Sequence, residues 1–83
     1  MSYCVYMLKC ISSVKKRTYV GYTNHLTNRI IKHNSNKGAK YTKGNKWKVI
    51  YTKKFSTKSK AMSYEYVLKR DKKRRNIIYN KSK

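Results

Sequence analysis

Twenty-three Lys and Arg side chains face only two carboxylates, Glu65 and Asp71, in a chain of 83 residues. That imbalance limits the fold more than any other feature. The surface cannot be knitted together by ion pairs, and a formal charge of +21 opposes every compact state through self-repulsion. A polyanion relieves such a charge, so nucleic acid is the partner it implies. An A/T-rich genome would inflate the lysine count but explains poorly why so few acids remain. The length allows one domain, residues 1–83, with a small core. No apolar run is long enough to cross a bilayer, and no strong amphipathic helix or anchor points to a membrane surface. The first residues lack the apolar stretch and cleavage site of a signal peptide. Cys4 and Cys10 fall in one predicted strand, where they read as small buried hydrophobes; the pair cannot frame a zinc ribbon or a disulfide scaffold.

Residues 4–10, Cys-Val-Tyr-Met-Leu-Lys-Cys, suit a pleated surface and predict a first strand. A polar break at 12–16 precedes a second strand at 18–22, antiparallel to the first because the connection is short. The period of two puts Tyr6 and Tyr19 across from each other on one face. Thr23 or Asn24 offers a capping oxygen for a helix over 25–34, with Leu26 and Ile30 on its buried side and Arg29 and His33 on a neighbouring face. Residues 35–45 contain Gly38 and Gly44 and read as a loop. Trp47 opens a third strand over 47–52. Ser56 or Thr57 caps a second helix over 58–70, whose core positions are Ala61, Tyr64 and Leu68. Asp71 caps a last short helix carrying Ile77, Ile78 and Tyr79, and residues 81–83 are expected to fray. The order predicts an α+β fold: a three-stranded antiparallel sheet flanked by about three helices.

Glu65 is the most informative residue. On a helical wheel it falls beside Leu68, within the apolar stripe, where a carboxylate needs a neutralising partner. One of the many cations would serve as a salt bridge. A divalent cation is the sharper explanation, because Mg²⁺ often takes only one or two protein carboxylates and completes its shell with water and phosphate. Asp71 reads as a helix cap, and His25 as solvated. The nine tyrosines are mostly packing residues, with base stacking open to some.

Val5-Tyr6, Tyr19-Val20-Gly21, Arg29, His33 and Glu65, in this order and spacing, resemble the GIY-YIG nuclease family. The resemblance runs over about residues 3–79. It is similar to the small stand-alone branch related to the catalytic domain of structure-specific resolvase subunits. There the helix after the second tyrosine motif reads Arg-x-x-x-His-Asn, matched by Arg29 to Asn34. A Lys-Gly-Ala-x-x-Thr loop follows, matched from Lys37 to Thr42, and then a strand opened by Trp47. Cys4 stands where the first motif has its glycine. Asn76 is a possible counterpart of a late catalytic Asn found in some members.

The resemblance implies a DNA endonuclease that hydrolyses phosphodiesters with a divalent metal, Mg²⁺ or Mn²⁺, held by Glu65. It further implies that Tyr6 or Tyr19 activates the attacking water. An ordinary phenol, with a pKa of about 10, is a poor base at pH 7. A guanidinium, a metal and the field of a strongly positive protein are expected to favour the phenolate. Arg29 would hold the phosphate, and His33 would accept the tyrosine's proton or orient the phosphate. Lys37, Lys40, Lys43, Lys69 and Arg70 would bind the DNA backbone without reading sequence, which makes cleavage structure-directed or weakly sequence-specific. An accessory protein subunit is compatible with the lack of a second recognition segment. The expected location is intracellular, in cytoplasm or nucleus, wherever the DNA lies. The competing reading is a non-catalytic basic DNA-binding module that retains the fold; it needs the lysines but not Tyr6, Tyr19, Arg29, His33 and Glu65 together.

Overall fold

Strand β1 (Tyr3–Cys10) is the central strand of a three-stranded antiparallel sheet, flanked by β2 (Thr18–Thr23) and β3 (Trp47–Phe55) in the order β2-β1-β3. The computed structural model describes residues 2–35 and 40–82. Alternation along β1 divides the core in two. Val5 and Met7 point to one side, where Val20 joins Ala61 and Leu68 of helix α2 (Lys58–Arg70), with Ile78 of helix α3 (Lys72–Lys81) packed alongside. Tyr6, Leu8 and Cys10 point to the other side, against Trp47 and against Leu26 and Ile30 of helix α1 (Leu26–Asn34). Val5, Tyr6, Met7 and Leu8 have no solvent exposure at all. Burying each of these side chains is worth about 1.5–3 kcal/mol, which is how so small and so charged a domain stays closed. The expected α+β class, with three strands and three helices, is the observed one.

Several boundaries differ from the sequence reading, each for a physical reason. Helix α1 begins one residue late, and His25 is its N-cap: the imidazole Nδ1 accepts from Asn28 N–H at 3.4 Å. Thr23 is engaged in β2 opposite Cys4, and its hydroxyl instead accepts from His25 N–H at 3.1 Å. β3 runs three residues past Thr52, because Lys53, Lys54 and Phe55 still pair with Val5, Cys4 and Tyr3. Ladder bonds use the backbone, so exposed lysines do not stop them. The register slips between Met7 and Leu8, and this irregularity lets consecutive Ile50 and Tyr51 both pack on the α2 side. Thr57 caps α2 as expected, its hydroxyl accepting from Lys60 N–H at 3.2 Å.

Asp71 serves two helices. Its N–H closes the end of α2 on Leu68 O, and its Oδ1 accepts from Arg74 N–H at 2.9 Å to start α3. The end of the chain is not frayed at 81 and 82: Lys81 completes α3 and Ser82 caps it, while Lys9 Nζ donates to Ser82 O at 3.2 Å.

Candidate active site

Gly21 determines how close the two motif tyrosines can come. It lies opposite Tyr6 in the ladder, and a Cβ built on it would sit 2.6 Å from the Tyr6 hydroxyl oxygen and 3.0 Å from the Tyr19 ring. No side chain fits in that gap. Tyr19 is opposite Leu8, so the two phenols share a face but meet on the diagonal and not directly across, with ring centroids 6.3 Å apart.

Helix α1 lays His33 behind this pair. Its ring lies 5.8 Å from that of Tyr6 and 5.0 Å from that of Tyr19, and the residue is fully buried. His33 Nε2 is 2.9 Å from the Tyr6 hydroxyl, and Nδ1 is 2.9 Å from the Thr42 hydroxyl. Burial, helped by the nearby Arg29 charge, holds the imidazole below its usual range, so it is neutral at pH 7. A neutral imidazole donates from one nitrogen and accepts at the other; if Nδ1–H goes to Thr42, Nε2 receives the Tyr6 O–H. His33 is fully buried, so it meets the site through Tyr6 and Thr42 and not through solvent.

Without a metal, burial pushes the Tyr6 pKa up to about 12, outweighing the hydrogen bond from Arg29 that pulls it down. The phenol is therefore protonated at rest. Arg29 gains from the same contact: its own pKa is raised, chiefly by Tyr6, so the guanidinium stays charged. Its Nε–H is buried and has no acceptor among the described residues. A donor left in that condition costs about 1–3 kcal/mol, the kind of deficit that a bound oxyanion removes.

Tyr19 and Arg29 open onto a groove of about 410 Å³ along β2, which is an edge strand. Tyr19 and Gly21 form its floor, Arg29 comes from α1, and Lys58 and Glu65 come from α2. The two helical layers thus meet around the sheet edge. Glu65 lies at the edge of the apolar stripe: Ala61 and Leu68 are in the core, while the Glu65 side chain keeps 17% exposure and lines this groove. Its Oε1 is 3.1 Å from Lys69 Nζ, so the expected salt bridge exists, with a half-exposed lysine. Such pairs contribute about 0.2–1 kcal/mol. No cluster of three or more His, Cys, Asp or Glu occurs among the described residues, which excludes a zinc or calcium cage built from them. One carboxylate in a polar groove with Arg29 and Lys58 suits a hard divalent cation of the kind that takes few protein ligands and completes its shell with other oxygens.

The remaining candidates are dispersed. Lys37 and the side chain of Lys40 lie outside the described residues, and Lys43 is exposed. Lys69 lines a second groove with Lys16, Arg17, Tyr19, Tyr41 and Arg75. Arg70 is not brought to either groove; it donates to the Tyr66 hydroxyl at 2.9 Å on the outer side of α2. Asn76 accepts from Lys16 in a separate hollow with Thr18 and Lys72 and does not reach Glu65.

Two supporting residues had no spacing signal of their own. Asn34 clasps the start of β3: its Oδ1 accepts from Trp47 N–H at 2.7 Å and its Nδ2 donates to Trp47 O at 3.2 Å. Trp47 in turn donates its indole N–H to Thr42 O at 3.0 Å, which fixes the residue whose hydroxyl holds His33. The motif strings containing Asn34 and Thr42 were the only hint of these roles.

Comparison with known proteins bears on the fold. Residues 2–80 match the model of the GIY-YIG catalytic domain. The chain is 47% identical over 66 residues to a UPF0213 protein of Oceanobacillus iheyensis, covering 78% of this chain and 73% of that protein. It is 39% identical over 79 residues to the UPF0213 protein YazA of Bacillus subtilis, covering 94% and 77% respectively. The solution NMR structure of a UPF0213 protein from Bacillus halodurans is similar over 99% of this chain and 87% of that one, with 36% identity and a TM-score of 0.56.

Proposed function

The chain belongs to the GIY-YIG family, in its small UPF0213 branch, and from that membership we propose that it is a metal-dependent DNA endonuclease. The observation that carries the reading is the convergence of Arg29, Glu65, Tyr19 and Gly21 on one open groove, with Tyr6 and His33 hydrogen-bonded directly behind it. A basic DNA-binding module has no need of a buried Tyr–His–Thr chain.

Each residue has a role that its surroundings allow. Arg29 offers its unpaired, buried Nε–H and a permanent charge to a phosphate oxygen, and offsets the charge developing there in the transition state. Tyr6 lies beside the groove past Gly21, and its proton has a receiver in His33 Nε2 when Thr42 takes the Nδ1 proton. Tyr19, on the groove itself, orients the attacking water. Glu65 would hold Mg²⁺ or Mn²⁺, which supplies Lewis acidity and positive charge at the phosphate. The lysines bind the DNA backbone by charge, without reading base edges.

The test is incubation of labelled linear, flap and four-way-junction DNA with wild-type protein and Glu65→Gln, with and without Mg²⁺ or Mn²⁺. Cleavage by the wild type should need the cation, and Glu65→Gln should bind DNA, stay folded and cleave nothing. Salt-sensitive binding without cleavage by the wild type on every substrate would establish the binding-module reading instead.

A further inference from the structure

Lys69 stands at the junction of two grooves. Its ammonium is 3.1 Å from Glu65 Oε1, and Glu65 lines the groove of Arg29 and Gly21. The same lysine lines the neighbouring groove with Lys16, Arg17, Tyr41 and Arg75, and Tyr19 is the wall common to both. Four cations gathered in one groove make it a seat for a run of phosphates.

Three facts bear on what Lys69 does there. The ion pair is intrahelical, four residues apart, and its lysine side chain is 50% exposed, so the pair is weak and readily exchanged. A phosphate placed among Lys16, Arg17 and Arg75 offers the ammonium a fully charged acceptor in its other groove. An ammonium on Oε1, finally, repels a divalent cation brought to either oxygen of the same carboxylate and so weakens its binding.

We propose that Lys69 is a placeholder on Glu65: nucleic acid in the adjacent groove draws it away, and the carboxylate thereby becomes open to a divalent cation. The inference rests on the reading of Glu65 as the metal ligand and goes further, because it makes metal loading dependent on substrate. By linkage the effect is reciprocal, and the cation tightens nucleic-acid binding by the same factor. A protein of this charge binds many polyanions; the device confines the metal-loaded state to complexes that fill the second groove.

The test is Mn²⁺ binding followed by electron paramagnetic resonance, with and without a phosphorothioate duplex. Glu65→Gln under the same conditions serves to subtract Mn²⁺ held by the DNA. In the wild type, DNA should raise Mn²⁺ affinity at Glu65 by on the order of tenfold. Lys69→Met should bind Mn²⁺ several-fold more tightly than the wild type without DNA, and should lose most of the further gain that DNA gives. Lys69→Arg, which keeps the charge and both partners, should retain the gain. Circular dichroism confirms that each variant is folded. The proposal is overturned if Lys69→Met binds Mn²⁺ no more tightly than the wild type without DNA, or if DNA gives it an undiminished gain, while Glu65-dependent binding persists. If no protein binds more Mn²⁺ than Glu65→Gln even with DNA present, the metal-ligand reading itself fails, and the proposal with it.

Discussion

The two faces of the sheet are held by different physics. On the α2 side, Val5, Met7, Val20, Ala61 and Leu68 form a core of plain hydrocarbon and one thioether, which asks only for the right volume. On the α1 side, Tyr6, His33, Thr42 and Trp47 are as deeply buried, yet each carries a polar atom with a named partner. A half-satisfied network of that kind is worse than an apolar core, so each member depends on the next. The comparison teaches a division of labour: the first face supplies stability and the second spends some of it to place a phenol, an imidazole and a guanidinium beside an open groove.

The largest effect should come from breaking the apolar face. Leu68→Ala removes a fully buried side chain and should destabilise the fold by about 2–5 kcal/mol, a large part of what a small domain has. Urea unfolding measures it, and cleavage should decline only as the folded fraction does. An unchanged urea midpoint would mean that the α2 face is not the stabilising one.

Arg29→Ala should do the reverse. We expect cleavage to fall by on the order of 10²–10³-fold, about 2.7–4 kcal/mol in the barrier, with the melting temperature little changed. Two effects on stability offset each other: a buried donor with no acceptor among the described residues is removed, and so is the bond to Tyr6. A variant that loses stability and activity in equal measure would show that Arg29 belongs to the scaffold.

Thr42→Val probes the polar face with nearly constant volume. It leaves His33 Nδ1 without its hydroxyl partner and should cost about 1–3 kcal/mol, and it should also change the pH–rate profile by altering the imidazole's proton arrangement. A stability loss with an unaltered pH profile would confine Thr42 to packing.

The smallest effect is in pH alone. His33 is held below its usual range in the folded state, so as pH falls through about 6.5 the unfolded chain takes up a proton that the folded chain refuses. Stability from this residue is complete above that pH and is lost as the pH drops toward the folded value. Melting temperatures of the wild type and His33→Asn at pH 7.5, 6.5 and 5.5 check the sign: the wild type should lose more on acidification.

The α2 side of the core was readable on the helix because it is written in periodicity: Ala61, Tyr64 and Leu68 recur at helical spacing. Glu65 was visible for the opposite reason, as a charge in the wrong part of a wheel, but a wheel cannot know that the sheet ends beside it. It lies at the edge of the apolar stripe, where the stripe meets the groove. His33 was harder. Spacing placed it near Arg29, yet burial depends on how α1 docks, and that docking is set by Asn34 clasping Trp47 across the fold. The cap of α1 was misread because an imidazole nitrogen can do the work normally assigned to Thr or Asn. The pull of burial on the Tyr6 phenol was not legible at all, because it depends on three layers closing over one hydroxyl.

The strand order has a consequence in time as well as in space. β1 is flanked on both sides by segments that follow it in the chain, one joined to it by a short hairpin and one arriving only after α1. A hairpin of this size closes in microseconds, whereas the pairing with β3 must first close a much longer loop. Until then Val5, Tyr6, Met7 and Leu8 form a hydrophobic strand with one unpaired edge and both faces incompletely covered. Self-repulsion between like-charged chains is a safeguard at that stage: the same positive surface that weakens the folded state keeps two half-folded copies from zipping together through β1.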